Sequence, residues 1–243
     1  MRRAAARLGP APSIALLACV SCASRFGAPD PVSDRAESVL DLWRLFIWAS
    51  IAVGALVIGL IAWSVVRYRE RRPGEPARFR EHVPLEIVYT AIPVLIVTGL
   101  FVFTFGTERT VERMDAEPDV VVQVTAFDWS WRFAYQGTEV AVTGAPGHGP
   151  TMVLPLGRTV RLSMRSADVI HAFYVPDLLF KRDVFPGRTT EFQFVPTRTG
   201  TFHGQCAEYC GLDHARMTFA VRVIPAAEFD AWLAERAASA GAA

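Results

Sequence analysis

The chain has 243 residues, of which 51% are apolar and 20% are charged. This apolar share exceeds that of an average soluble domain, so the composition predicts contact with lipid. The 25 basic and 24 acidic residues leave a net charge of +1, which excludes the strongly basic surface typical of a nucleic-acid-binding protein.

Residues 1–23 have the plan of a secretory signal peptide. Three arginines within the first seven residues precede a short apolar run that ends at Cys19, which is the order of regions found in exported proteins. The letters LLAC also resemble the lipobox of bacterial lipoproteins, in which cleavage precedes the cysteine and that cysteine becomes the acylated first residue. Cleavage after Ala23 is the alternative, and no role is assigned to Cys22.

Two uncharged apolar segments predict a transmembrane hairpin. Residues 45–66 are 22 uncharged residues and residues 87–107 are 21, and a helix of that length spans about 33 Å. Pro93 lies early in the second segment, where it kinks a helix without ending it. Two buried helices of a soluble protein are the alternative, but neither segment has a polar stripe, and aromatic residues cluster toward the ends of the first.

The loop between the two spans, residues 67–86, is predicted to be cytoplasmic. It holds six arginines, whereas the outer flanks hold about half as many basic residues, and basic loops stay in the cytoplasm. Residues 24–44 and everything after the second span then face outward. The loop arginines are Arg67, Arg69, Arg71, Arg72, Arg78 and Arg80.

Residues 108–224 are predicted to form an exported all-β domain. Short alternating runs such as DVVVQVTA and MTFAVRVI are separated by turns rich in glycine and proline, which is typical of an antiparallel sandwich or barrel. Residues 225–243 follow as an amphipathic helix and tail, because Phe229, Trp232 and Leu233 recur at helical spacing after a proline.

The segment GQCAEYCGLDHARM carries the strongest chemical signal. Its two cysteines, histidine and methionine follow another histidine, His171, which stands 35 positions before the first cysteine. Thiolate, imidazole and thioether ligands together favour copper, and two cysteines four residues apart can bridge two copper ions. A disulfide is the alternative in an exported protein, but it explains neither the downstream histidine nor the methionine. The four donors are Cys206, Cys210, His214 and Met217.

These residues resemble the subunit II family of cytochrome c oxidase, whose motif is C-x-E-x-C-x-x-x-H-x-x-M. The resemblance covers roughly residues 40–225. It implies a two-helix transmembrane hairpin that carries an all-β, cupredoxin-like domain of the Greek-key sandwich or barrel type. It also implies a bacterial inner (plasma) membrane location, with the copper domain on the periplasmic side.

The resemblance also implies a ligand set for a dinuclear copper A centre. Both cysteines bridge the two copper ions in that family. His171 and Met217 complete one copper, whereas His214 and the backbone carbonyl of Glu208 complete the other. The family also places the Glu208 side chain at a magnesium site that is shared with the catalytic subunit I.

The run FDWSWRFAY predicts a strand with one packed face and also resembles the aromatic W-x-W segment of the same family. There the first tryptophan, here Trp129, receives the electron from cytochrome c. The family has an amide and an aromatic residue where this chain has Asp128 and Ser130, so the docking face differs in detail. Asp128, Glu139 and Asp177 are candidate carboxylates for steering a lysine-rich cytochrome.

The second span begins with LEIVYTAIP, which resembles the family's L-E-x-x-W-T-x-x-P, with Tyr89 in place of the tryptophan. The family's glutamate, here Glu86, lies at the mouth of a proton path. A carboxylate stabilised by the helix dipole at the membrane interface is the alternative.

The resemblance implies a subunit that accepts electrons from cytochrome c and passes them to haem in the catalytic subunit, which reduces oxygen to water with proton pumping. The chain would not reduce oxygen alone, and it has no C-x-x-C-H segment for a covalently attached haem. One alternative is the copper A subunit of a nitric oxide reductase. The other is a membrane-anchored copper carrier or sensor, which needs exposed and exchangeable ligands.

Overall fold

A computed structural model describes residues 25–69, 81–114 and 117–240. The predicted signal peptide, with Cys19 and Cys22, therefore lies outside the described residues. So does most of the arginine-rich loop between the two predicted spans.

The first helix, α1, spans Asp34–Arg67 and so begins well before residue 45. Ser33 caps it, since the Ser33 side chain accepts a hydrogen bond from the backbone N–H of Ala36. Ala36 and Leu40 are buried, and the N-terminal end of α1 contacts the β-domain. The apolar run identifies only the part of α1 that lipid can cover. The cap at Ser33 and the packing of Ala36 and Leu40 extend the helix beyond that part.

The second helix, α2, spans Val83–Val111 and continues through Pro93. At its start, Nδ1 of His82 accepts a hydrogen bond from the N–H of Leu85, and Oε1 of Glu86 accepts one from the N–H of His82. This reciprocal pairing satisfies two backbone donors that a helix start leaves open. Both α1 and α2 are long and apolar enough to cross a membrane by length and composition.

Polar contacts tie the ends of both helices to the β-domain. Arg35 donates from Nε to the carbonyl of Gln193 at 3.4 Å and from Nη2 to the carbonyl of Arg113 at 3.3 Å. Oδ1 of Asp34 accepts from the backbone N–H of Val195 at 2.8 Å. The N-terminal end of α1 and the C-terminal end of α2 therefore lie on the same side of the hairpin, next to the β-domain.

Ten strands in the described part of the chain form two five-stranded sheets, which confirms the predicted β-sandwich. The strands are β1 (Val120–Phe127), β2 (Ser130–Tyr135), β3 (Ala141–Thr143), β4 (Thr151–Pro155), β5 (Val160–Ser166), β6 (His171–Val175), β7 (Phe180–Val184), β8 (Thr190–Phe194), β9 (Gly200–Cys206) and β10 (Thr218–Ile224). One sheet has the order β3-β2-β1-β5-β8 and the other the order β4-β10-β9-β6-β7.

The strand and turn pattern predicted an antiparallel sandwich or barrel, but the sandwich also contains parallel pairs of strands. β1 pairs with β5 in parallel, and β4 pairs with β10 in parallel. The chain crosses to the second sheet as β4 after the β1–β2–β3 meander and then returns as β5. Because of this crossing, β5 lies beside β1 in the same direction, which the hydrophobic pattern of each strand alone does not reveal.

The core lies between the two sheets and is closed at one end by the third helix, α3 (Ala226–Ala240). Trp131, Phe133 and Tyr135 are buried at every second position of β2, as the period of a strand requires. The rings of Tyr135 and Trp232 meet edge to face with centroids 5.2 Å apart. Helix α3 therefore extends the aromatic core beyond the sheets.

Tyr135 also joins the two sheets through paired hydrogen bonds. Its hydroxyl accepts from the N–H of Val153 at 2.8 Å and donates to the carbonyl of Val153 at 2.9 Å. Burial raises the pKa of this hydroxyl above its ordinary value, so the group stays a protonated donor. A phenylalanine here would leave two buried backbone groups without their partner.

Replacing Tyr135 with phenylalanine is expected to lower the free energy of unfolding of the β-domain by about 1–3 kcal/mol, the cost of unpaired buried polar groups. The measurement is denaturant unfolding of the detergent-solubilised chain, followed by near-UV circular dichroism. Tyr209→Phe serves as the control because the Tyr209 side chain is 78% exposed. Equal stability of the two variants would contradict the role assigned to the Tyr135 hydroxyl.

Candidate metal centre

Two unlinked cysteines lie at the end of the β-sandwich where β9 finishes. Both Cys206 and Cys210 are free thiols, and their residues are only 4% and 6% exposed. The two Sγ atoms are 3.8 Å apart, far beyond the roughly 2.05 Å of a disulfide bond. The disulfide alternative is therefore not what the structure shows.

Backbone hydrogen bonds fix the loop that carries these cysteines. The N–H of Cys206 donates to the carbonyl of Met217 at 2.9 Å, and the N–H of Ala207 donates to the carbonyl of Ala172 at 3.0 Å. Cys206 also lies opposite Phe173 in the β6–β9 pair. The loop is therefore held between the start of β6 and the start of β10, and its donor atoms converge on one point.

The other predicted ligands surround the two sulfurs. Nδ1 of His171 lies 3.9 Å from Sγ of Cys206, and the carbonyl oxygen of Glu208 lies 3.2 Å from the same atom. Nδ1 of His214 and Sδ of Met217 lie 3.5 Å and 3.7 Å from Sγ of Cys210. The structure thus brings together all six positions that the sequence indicated.

The chemistry of the donor set fits copper. A metal–thiolate bond is about 2.3 Å, so one ion can reach both sulfurs across 3.8 Å only if it lies to one side of the line between them. Two thiolates, two imidazoles and a thioether match the preference of copper for soft and imidazole ligands.

The pKa values of the two thiols are shifted in opposite directions. Burial alone would raise the pKa of Cys206, but hydrogen bonds with His171 and with neighbouring backbone groups lower it below its ordinary value. Burial and the negative charge of Cys206 raise the pKa of Cys210. A metal that takes both thiolates therefore displaces a proton from Cys210 when it binds.

Trp129 lies in the turn between β1 and β2, directly beside the cysteine loop. Its Nε1–H donates to the carbonyl of Cys210 at 2.9 Å. Gly211 follows that carbonyl with a φ of +116°, and a Cβ atom at this position would lie 3.1 Å from Nε1 of Trp129. Both the backbone conformation and the close approach of the indole therefore favour glycine here.

Asp168 is a residue of the site that the sequence analysis missed. Its Oδ1 lies 2.7 Å from Nε2 of His171, and its Oδ2 accepts from the backbone N–H of Asp128 at 2.7 Å. Partial burial would raise the pKa of Asp168, but the hydrogen bonds from His171 and from backbone N–H groups lower it. An acid three residues before a ligand has no sequence signature, since only the β5–β6 turn brings the two side chains together.

Of the four remaining predicted residues, three lie apart from the cysteine loop and one lies beside the site. Asp128 is adjacent, with Oδ1 4.0 Å from Nε2 of His171, but Glu139 follows the far end of β2. Asp177 lies in a short 3₁₀ turn beside α1, where its carbonyl accepts from the N–H of Val32. Glu86 lies in the first turn of α2, at the end of the hairpin away from the β-domain.

Two family models match the chain. One, described as the periplasmic domain of cytochrome c oxidase subunit II, matches residues 148–224. The other, described as the transmembrane domain of the same subunit, matches residues 21–106. The matched parts include the cysteine loop and both apolar helices.

Curated relatives match most of the chain. The "Probable cytochrome c oxidase subunit 2" of Streptomyces avermitilis is 38% identical in an alignment that covers 82% of this chain and 75% of the relative. The "Cytochrome c oxidase subunit 2" of Mycobacterium bovis is 34% identical in an alignment that covers 86% of this chain and 74% of the relative.

The crystal structure of the periplasmic domain of subunit II of cytochrome oxidase (CoxB) of Bradyrhizobium japonicum is also similar, at 36% identity. It covers 51% of this chain and 96% of that one, with a TM-score of 0.46. On the strength of the two family models and the Streptomyces and Mycobacterium relatives, the chain belongs to the cytochrome c oxidase subunit II family.

Proposed function

We propose that this chain accepts electrons from reduced cytochrome c at a dinuclear copper A centre and passes them to haem in the catalytic subunit I of a haem-copper oxidase. That partner reduces oxygen to water and pumps protons. The observation that supports the proposal most is the pair of buried, unlinked thiols 3.8 Å apart, with two imidazoles and a thioether around them.

The six predicted ligands divide into bridging and terminal donors. The sulfurs of Cys206 and Cys210 would bridge the two ions, His171 and Met217 would complete one, and His214 with the carbonyl of Glu208 would complete the other. When bound, the copper pair supplies a site that takes up and releases one electron.

The protein's own contribution is to keep four of the six donor residues away from solvent and in fixed positions. His171 is fully buried and Met217 is 1% exposed. The ring of Trp131 lies against His171 from the core side, with centroids 6.3 Å apart. Ligands packed in this way move little when the charge on the site changes, and a small rearrangement lowers the barrier to electron transfer.

Trp129 is the proposed point at which the electron enters from cytochrome c. Its indole is half-buried at the surface and is joined by one hydrogen bond to the carbonyl of the bridging Cys210. Asp128, next to it in the chain, can attract the lysines around the haem edge of a cytochrome c. Glu139 and Asp177 would take part only in a wider contact, because they lie away from Trp129.

Two carboxylates are proposed to act only in the assembled oxidase, one at a magnesium site and one at a proton path. The Glu208 side chain is exposed on the cysteine loop, where it could supply half of a magnesium site shared with the catalytic subunit. Glu86 is proposed to stand at the opening of a proton path. Its present contact is the hydrogen bond to the N–H of His82, which equally suits a helix-capping carboxylate.

The membrane orientation follows from the position of the β-domain. Two membrane-spanning helices place both outer ends, and the β-domain with them, on one side of the bilayer. The arginine-rich loop between the helices favours the cytoplasm for the other side. We therefore place the copper domain in the periplasm of a bacterium and the two helices in its inner membrane, surrounded by lipid.

Burial of the ligands favours electron transfer over copper delivery. A copper carrier must exchange its metal with a partner, so its sulfurs have to be reachable from solvent. Here both cysteines and Met217 are buried, and the cysteine loop is pinned by backbone hydrogen bonds at its start.

The full chain in detergent, titrated anaerobically with copper, is expected to bind two copper ions per molecule. Cys206→Ser should reduce this to one or none, because it removes one of the two thiolates that would hold both ions together. Ser130→Ala, a buried polar residue that is not a ligand, is the control and should keep both. One copper per unaltered chain, measured by elemental analysis after gel filtration, would contradict the dinuclear centre.

Replacing Trp129 with phenylalanine removes the Nε1–H donor and should slow reduction of the copper-loaded chain by cytochrome c by about tenfold or more, equivalent to roughly 1.4 kcal/mol in the barrier. The rate is measured by stopped-flow absorbance. Trp232→Phe, a half-buried tryptophan on α3, is the matched control. Reduction by dithionite should remain fast in both variants, and an unaltered cytochrome c rate in Trp129→Phe would exclude this route.

A further inference from the structure

We infer that Asp168 is a positioning residue, which sets the orientation of the ligand His171 and couples it to the turn that carries Trp129. The inference rests on the proposed copper centre, since it concerns how one of its ligands is held. It assigns a role to a carboxylate outside the six ligand positions.

The contact between Asp168 and His171 determines which ring nitrogen of the imidazole is free to bind the metal. Oδ1 of Asp168 lies 2.7 Å from Nε2, while Nδ1 faces the sulfur of Cys206 at 3.9 Å. When Nε2 carries the proton and donates a hydrogen bond to the carboxylate, the lone pair of Nδ1 faces the sulfurs. Carboxylates that hold ligating histidines in this way also raise the basicity of the donor nitrogen.

Asp168 is itself held firmly. Its Oδ1 accepts from the N–H of Val169 at 2.7 Å, and its backbone N–H donates to the hydroxyl oxygen of Ser166 at 3.2 Å. These contacts fix the carboxylate at the end of β5, directly before His171 begins β6. A carboxylate with so many donors has little freedom to rotate, so it can transmit its own position to the imidazole.

The second oxygen extends the same network to the electron-accepting surface. Oδ2 accepts from the backbone N–H of Asp128 at 2.7 Å, the residue that precedes Trp129. Trp129 in turn donates to the carbonyl of Cys210. A single carboxylate thus connects a terminal ligand on one side of the site with the turn that contacts a bridging ligand on the other.

Asp128 offers a matched comparison. Its Oδ1 lies 4.0 Å from the same Nε2, beyond hydrogen-bond distance, so it presents a similar negative charge without orienting the ring. Asp168→Ala removes charge and hydrogen bonds, Asp168→Asn removes the charge but keeps an acceptor for the imidazole, and Asp128→Asn removes only a nearby charge.

The test measures copper affinity in the full detergent-solubilised chain by competition with a chelator, together with the visible spectrum and the reduction potential. Asp168→Ala should lose about 10- to 100-fold in affinity, as is typical for removal of a carboxylate behind a ligating histidine. Its potential should rise and its spectrum should change. Asp168→Asn should restore much of the affinity and spectrum, and Asp128→Asn, which removes only a nearby charge, should lower the affinity less than Asp168→Ala and leave the spectrum unchanged.

Equal effects of Asp168→Asn, Asp168→Ala and Asp128→Asn would overturn the inference, because they would reduce the role of Asp168 to its charge. Unchanged affinity and spectrum in Asp168→Ala would overturn it as well. Failure of the unaltered chain to bind two copper ions would instead contradict the proposed function. The two failures are therefore distinguishable in the same experiment.

Discussion

Two buried sulfur atoms that face each other without a bond are the constraint around which the β-domain is organised. Cys206 and Cys210 lie 3.8 Å apart in a place with almost no solvent. Two thiolates at that distance repel each other unless a cation lies between or beside them. The strands around them hold this arrangement in place, because the backbone N–H groups of Cys206 and Ala207 donate to the carbonyls of Met217 and of Ala172 in β6.

The same β-domain connects the metal site to its surroundings. Trp129 donates to the backbone carbonyl of Cys210, and Asp168 contacts both His171 and the backbone of the residue before Trp129. At the other end of the domain, Arg35 and Asp34 join α1 to β8 and to the chain that leaves α2. The turn of Trp129, the cysteine loop and the N-terminal end of α1 are thus joined to the same β-domain by hydrogen bonds.

Much of this organisation could be predicted from the sequence because it depends on the hydropathy and spacing of residues that are close in the chain. Apolar length located both helices, and the spacing of Cys206, Cys210, His214 and Met217 identified a loop with converging donors. The helix ends were not predictable from hydropathy, since capping by Ser33 and His82 and packing of Ala36 set them. The parallel pairs β1–β5 and β4–β10 depend on how the chain crosses between sheets. Asp168 and Gly211 act through contacts across the fold, so neither could be found by spacing.

The most direct measurement is the electron paramagnetic resonance spectrum of the full chain, loaded with copper and fully oxidised. Hyperfine splitting from two equivalent copper nuclei is expected, because thiolates that bridge both ions allow one unpaired electron to be shared between them. Splitting from a single nucleus, or recovery of Cys206 and Cys210 joined as a disulfide in the properly metallated protein, would contradict the dinuclear centre.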